Sequence, residues 1–228
     1  MELVRTRCTD AWIEALRLVR THGLRFTDER RNQCVELLNL TIRIEDASTT
    51  REPLEIMQKQ KTWHYPSAED LERMITEPRK GSFAYTYGNR IHAYRGAIDQ
   101  LNSYVIPLLR TTPWSRRAVV TIWDPEDDAD PTERTVPGHI AIDFKLRLGR
   151  LHATSMMRSG DVFFGFPANV FQISVLLEHA CRTLRAKPGT ITALLTSAHL
   201  FEYQYTDIDE LLIRLEESAL NGLSSSRA

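Results

Sequence analysis

Arg158-Ser-Gly-Asp-Val-Phe-Phe-Gly-Phe-Pro-Ala-Asn169 joins a short polar tetrad to an aromatic run inside otherwise apolar sequence. The tetrad closes the segment Arg150 to Met157, which reads as a strand, and Ala168 to Leu184 beyond it is long and apolar enough for a buried helix. Upstream, His139 to Phe144 reads as another strand, joined to the first at Leu148-Gly149 by a hairpin or near-hairpin. Downstream, the helix is expected to stop before Pro188-Gly189, and Thr190 to Tyr205 is β-rich. A polar turn between a strand and a helix, flanked by further strands, places side chains with chemistry at the edge of a sheet.

Farther out, Thr9 or Asp10 can cap a helix carrying Trp12, Ile13, Leu16 and Val19 that stops near Gly23. Val35 to Ile44 reads as a strand, and residues 45–82 are polar and ambiguous. A helix is expected from about Ile91 to Leu109, with Pro107 disturbing its last turn. Ala118 to Trp123 has a buried-strand pattern. The acidic run Asp124 to Pro131 could hold a hard cation, but its spacing fits no calcium loop and a solvated loop is the stronger reading. Asp207 caps a last amphipathic helix bearing Leu211, Leu212, Leu215 and Leu220. There is no internal repeat and no linker that splits the chain. The pattern predicts a single α+β domain over residues 1–228, a mixed sheet covered by helices.

Composition narrows the class. Lys and Arg total 29 against 30 Asp and Glu, a net charge of -1, which does not suit a binder of nucleic-acid polymers. Of the 29 basic residues 24 are Arg, the side chain suited to bidentate phosphate recognition, although a GC-rich genome explains most of that excess. No run of 18 apolar residues exists, so no membrane span is expected. Cys8, Cys34 and Cys181 lie far apart with no metal spacing, so no metal site is expected. Sparse thiols and the absence of a secretory pattern point to the cytoplasm.

Three polar islands interrupt the apolar strands: Ser115-Arg116-Arg117, Arg158-Ser159-Gly160-Asp161, and Ser197-Ala198-His199. Adjacent Arg side chains in a strand point to opposite faces, so at most one of Arg116 and Arg117 is expected on a plain solvent face. Together the islands make either a phosphate cradle or ordinary surface salt bridges.

With these residues in view, the chain resembles the thymidylate synthases. Arg158 to Asn169 looks like their nucleotide-binding signature. Tyr85-Thr-Tyr-Gly-Asn-Arg90 with Asp99-Gln100, Ser115-Arg-Arg117 leading to Trp123-Asp-Pro125, and Ala198-His199-Leu-Phe201 fall in the family's order. The compact layout is most similar to the archaeal-type branch and its nucleotide hydroxymethylase relatives. The likeness covers residues 83–205 well and the first 80 poorly.

The resemblance implies a thymidylate synthase-like fold, with sheets packing across a homodimer interface, and a methyl- or hydroxymethyltransferase of a pyrimidine nucleoside monophosphate. It implies 5,10-methylenetetrahydrofolate as cofactor. It gives Arg158 and Ser159 to the phosphate, Arg116 and Arg117 to the phosphate in the neighbouring subunit, Asn169 to the base edge and His199 to the sugar. Asp161 goes to the pterin, and Tyr87 and His139 to the network around the base. Arg30 or Arg31 is a further phosphate candidate.

The chain departs from the family where its nucleophilic Cys is expected. That window reads Val136-Pro137-Gly138-His139, so Gly138 stands at the thiol's position. Thiolate addition at C6 is what makes C5 of uracil nucleophilic, and glycine cannot supply it. The three cysteines do not align there. Phe201 replaces a sugar-binding Tyr, which leaves ribose or deoxyribose open. Asn169 follows the uracil-type pattern. Glu55, Glu69 and Glu72 are candidates for the family's catalytic Glu. The readings left open are one-carbon transfer to a substrate already electron-rich, as in modified-nucleoside biosynthesis; a different reaction in the same pocket, such as hydrolysis or exchange at C5 or the glycosidic bond; and a non-catalytic nucleotide-binding paralogue.

Overall fold

A computed structural model of the protein describes residues 1–60, 63–79, 81–132 and 135–225, with side chains described up to residue 217. Leu220, expected on the apolar face of the last helix, lies outside the described side chains.

Among the described residues eight strands form one mixed sheet: β1 (Glu2–Arg5), β2 (Leu24–Thr27), β3 (Gln33–Ile44), β4 (Val119–Thr121), β5 (His139–Arg147), β6 (Arg150–Met157), β7 (Gly160–Asp161) and β8 (Lys187–Phe201). Their order is β1-β3-β8-β6-β5-β4, with β2 on β3 and β7 on β8. The β3–β8 and β5–β6 pairs are antiparallel, whereas β1–β3 and β6–β8 are parallel. The helices are α1 (Cys8–His22), α2 (Arg51–Gln58), α3 (Ala68–Thr76), α4 (Tyr87–His92), α5 (Ile106–Thr111), α6 (Pro125–Asp128), α7 (Gly165–Leu184) and α8 (Tyr205–Ser225). The architecture is the α+β mixed sheet with helices expected from the sequence.

The core lies between the sheet and the helices α1 and α7. Trp12, Phe144, Phe163 and Phe166 are fully buried there. The Trp12 indole donates to the Val162 carbonyl at 2.8 Å, satisfying the one polar atom such a ring carries inward. On β6 the odd positions are buried while Thr154 and Met156 are exposed, so part of one sheet face is left open. Along β8 buried positions alternate as Ile191, Ala193 and Leu195 and then shift to Ala198 and Leu200. The shift falls beside Asn39 on β3, whose φ of 56° breaks the regular extended backbone. It turns Ser197, His199 and Phe201 to the same side as Glu36.

Four local expectations are corrected. The first helix starts at Cys8, not after a Thr9 or Asp10 cap: the Cys8 N–H is satisfied at 2.9 Å by Thr49 Oγ1, a partner 41 residues away. The helix expected over 91–109 is two helices. Arg95 and Gly96 take left-handed φ values in a turn closed by Tyr94 and Ile98. The chain restarts where Asp99 accepts the Asn102 N–H, through a π-helical turn Leu101–Val105 before Pro107. Asp207 lies inside the first turn of α8, and its carboxylate instead accepts from the Trp63 indole at 2.9 Å.

The fourth correction concerns the acidic run. Asp124 caps α6, and Asp124 and Asp128 are 1% and 5% exposed, which no solvated loop would be. Arg90, itself buried, contacts Asp124, Asp127 and Asp128 at 3.6, 2.9 and 2.8 Å. Arg95 adds a bidentate pair with Asp124 at 3.0 and 2.7 Å. The carboxylates are neutralised by guanidinium groups, and among the described residues no cluster could hold a metal ion. This ion-pair network ties α4 to the segment after β4.

Candidate functional site

Two groups of side chains meet where β6, β7 and β8 converge. The first lines an open cleft of about 500 Å³ with Arg158, Ser159, Ser197, His199, Phe201, Glu36 and Arg30 among its walls. Arg158 follows the last residue of β6. Its Nε donates to the Pro137 carbonyl at 2.9 Å and its Nη2 to the Val136 carbonyl at 3.0 Å, while its N–H holds the Gly138 carbonyl at 2.9 Å. The guanidinium thus clamps the segment that carries Gly138 while lining the cleft. Ser159 Oγ lies 3.4 Å from His199 Nδ1, and Phe201 packs edge-on to His199 with centroids 5.0 Å apart.

The second group surrounds Gly138. Thr86 caps α4 by accepting the Asn89 N–H, which sets Tyr87 as the first helical residue. The Tyr87 ring meets His139 edge-on at 4.7 Å, and its hydroxyl is bonded by the backbone of Gly138 and His139. Burial pushes the Tyr87 phenol well above its usual range. His139 is 2% exposed, and its Nδ1 lies 2.7 Å from Ser155 Oγ. Burial pushes its imidazole down to about 4, and Asn169 hydrogen-bonds it in partial opposition. His139 is therefore neutral at pH 7 and can fix the orientation of the Asn169 amide. A Cβ at Gly138 would lie 3.1 Å from the Ser159 carbonyl and 3.6 Å from the Tyr87 hydroxyl, and the backbone there is not left-handed. Nothing in its conformation demands glycine.

Asp161 marks the far side. One oxygen accepts the Phe163 and Phe164 N–H groups at 2.9 and 3.0 Å, leading the chain into α7, and the other accepts from Gln204 at 2.8 Å. Burial raises its pKa, against these bonds and the nearby His199. Trp63 and Tyr65 pack on Phe164 at 5.8 and 4.9 Å, and Phe201 stacks on Tyr203 at 5.1 Å. Asp161, Trp63, Tyr65 and Phe164 do not line the cleft, and both Asp161 oxygens are bonded within the chain.

Other expected residues are placed elsewhere. Arg116 and Arg117 precede β4 instead of lying within it, and both are exposed, which corrects the expectation of opposite faces. Neither lines the cleft. Arg30 lines it and Arg31 does not. Glu55, Glu69 and Glu72 are exposed on α2 and α3, and the carboxylates on the cleft are Asp28, Glu29 and Glu36. Cys8, Cys34 and Cys181 are buried thiols. Burial and the charges of Asp28 and Glu29 push Cys34 up to about 11, and burial pushes Cys181 up to about 11. At neutral pH the thiolate fraction of such a group is on the order of one in ten thousand, so neither is poised to attack. Trp63, Tyr65, Gln204 and Glu36 carry no motif that marks them. The first two fall in the ambiguous region, and Gln204 meets Asp161 only through folding.

The family model described as Thymidylate synthase matches residues 31–226. A protein named "Putative thymidylate synthase" from Methanosarcina barkeri is 37% identical over 205 residues, spanning 90% of this chain and 91% of that one. One of the same name from Methanococcoides burtonii is 34% identical over 205 residues with the same shares. Another from Methanothermobacter thermautotrophicus is 31% identical over 214 residues, spanning 89% and 94%.

Proposed function

The chain belongs to the thymidylate synthase family, and from that premise we propose that it transfers a one-carbon unit to C5 of a pyrimidine nucleoside monophosphate without a thiol nucleophile. Arg158 and Ser159 bind the phosphate, with Arg116 and Arg117 reaching it from the second subunit of a homodimer. His199 holds the sugar. Asn169 reads the O4 and N3 edge through an amide that donates and accepts at once. His139, neutral because it is buried, keeps that amide in place. Asp161 and the neighbouring aromatic rings hold the folate. When bound, 5,10-methylenetetrahydrofolate supplies the carbon.

The observation that carries this reading is Gly138 itself, which brings no side chain and sits close to the Ser159 carbonyl and to a Tyr87 hydroxyl that keeps its proton at neutral pH. No side chain there adds to C6, so the ring must already be electron-rich, as an enamine-like or hydroxylated base is. Production of a modified nucleoside is the natural setting.

The test mixes the protein with methylenetetrahydrofolate and a panel of pyrimidine nucleotides, including electron-rich analogues. Release of tetrahydrofolate or dihydrofolate is followed by absorbance, and the product by mass. Turnover with at least one nucleotide is expected, as is a loss of at least tenfold in Gly138→Ala with the fold intact. Tight nucleotide binding without turnover for any member would refute the transferase. Release of free base or exchange of the C5 proton would assign the pocket a different reaction.

A further inference from the structure

Glu36 stands in the cleft wall with no part in the roles above. On the β3–β8 ladder it lies directly opposite His199, and Leu38 lies opposite Ser197. Opposite residues share a face with Cβ atoms about 5 Å apart. The Glu36 carboxylate accepts from Ser197 Oγ, and both side chains line the cleft with His199. Phe201, two residues farther along β8, brings an apolar ring to the same wall.

A carboxylate beside a site for an anionic ligand repels that ligand's phosphate. It is tolerated where the ligand also gives it hydrogen-bond donors. Phosphate oxygens are acceptors, and the base edge faces Asn169 from another element, so the donors available here are sugar hydroxyls. An ionised carboxylate has about four acceptor positions, and Ser197 uses one. Ribose presents two vicinal hydroxyls. With one held by His199, its neighbour falls to the residue across the ladder.

We propose that Glu36 selects the sugar: its carboxylate accepts the 2′-hydroxyl of a ribonucleotide whose 3′-hydroxyl His199 holds, which makes the substrate a ribonucleoside monophosphate. This rests on the nucleotide site proposed above. A 2′-deoxynucleotide would cover Glu36 and leave it without that donor, and a site built to bond a hydroxyl rejects the analogue lacking it.

Calorimetric titration of the full chain with UMP, dUMP, CMP and dCMP tests this, using wild type, Glu36→Ala and Glu36→Gln, with thermal unfolding as the check of fold. Wild type is expected to bind the ribonucleotide of the preferred base at least tenfold more tightly than its 2′-deoxy form. Glu36→Ala is expected to bring that ratio below about twofold by weakening the ribonucleotide alone. Glu36→Gln keeps an acceptor oxygen and is expected to retain an intermediate ratio, which decides the matter should the Ala variant not fold. Equal wild-type affinities, a deoxy preference, or parallel weakening of both sugars in the variants would overturn the proposal and leave the nucleotide site standing. Failure of wild type to bind any of the four would overturn the nucleotide site itself, and the sugar selection with it.

Discussion

His139 is held uncharged inside the protein, between Ser155 and Asn169, with an imidazole pushed down to about 4 by burial. In the unfolded chain the same group titrates near 6.5. Between those values the unfolded state binds more protons, so stability is fully present above about 6.5 and is lost as pH falls toward 4. His152 and His179, also lowered by burial, act in the same direction. Chemical denaturation at pH 7 and pH 5 is expected to show a loss of about 2 kcal/mol attributable to His139, absent from a His139→Gln variant. At this scale the sequence was partly legible. Tyr87, Gly138, His139 and Asn169 each sit in a motif that names a role. That the Tyr87 hydroxyl meets the backbone of Gly138 and His139 is a contact between residues about 50 positions apart, which no local pattern encodes.

The β5–β6 hairpin shows an element whose geometry follows from two residues. Leu148 and Gly149 have φ values of 49° and 73°, the left-handed pair of a two-residue turn between Arg147 and Arg150. Leucine has no preference for that region and is fully exposed here. Leu148→Asn is expected to stabilise by about 0.5–1 kcal/mol and Gly149→Ala to destabilise by about 1 kcal/mol, both read from thermal unfolding. The acidic run before Pro131 went the other way: its composition says solvent, yet Asp124 and Asp128 are buried against Arg90. Arg90→Leu would leave the buried Asp128 without its guanidinium and Asp124 with Arg95 alone. A loss of about 3–5 kcal/mol is expected in urea denaturation, well above that from Arg73→Leu, whose partner Asp70 sits on the surface.

For the whole molecule, the proposed homodimer follows from the family together with exposed features that a lone chain leaves unused. Leu38 and Met156 are 59% and 42% exposed, and Arg116 and Arg117 are exposed and do not line the cleft they would serve. Sedimentation is expected to give a dimer, and the double variant Leu38→Asp, Met156→Arg a monomer. That monomer is expected to lose at least tenfold in nucleotide affinity, because the phosphate loses the second subunit's arginines; an unchanged affinity would detach those arginines from the site. Among the described residues no helix is long and apolar enough to cross a membrane. Sequence alone determined the strands and helices with strong periodicity, the hairpin, the α+β class, and the family, because ordered motifs and local patterning survive without coordinates. Only the tertiary structure decided which polar residues share a space. The change of side at Asn39 and Thr196 brings Glu36 to Ser197 and His199. The Arg158 clamp sets Gly138 against Tyr87, and Arg90 reaches a buried acidic cap. Each is a long-range pairing, chosen by which buried charge and hydrogen-bonding group has no nearer partner.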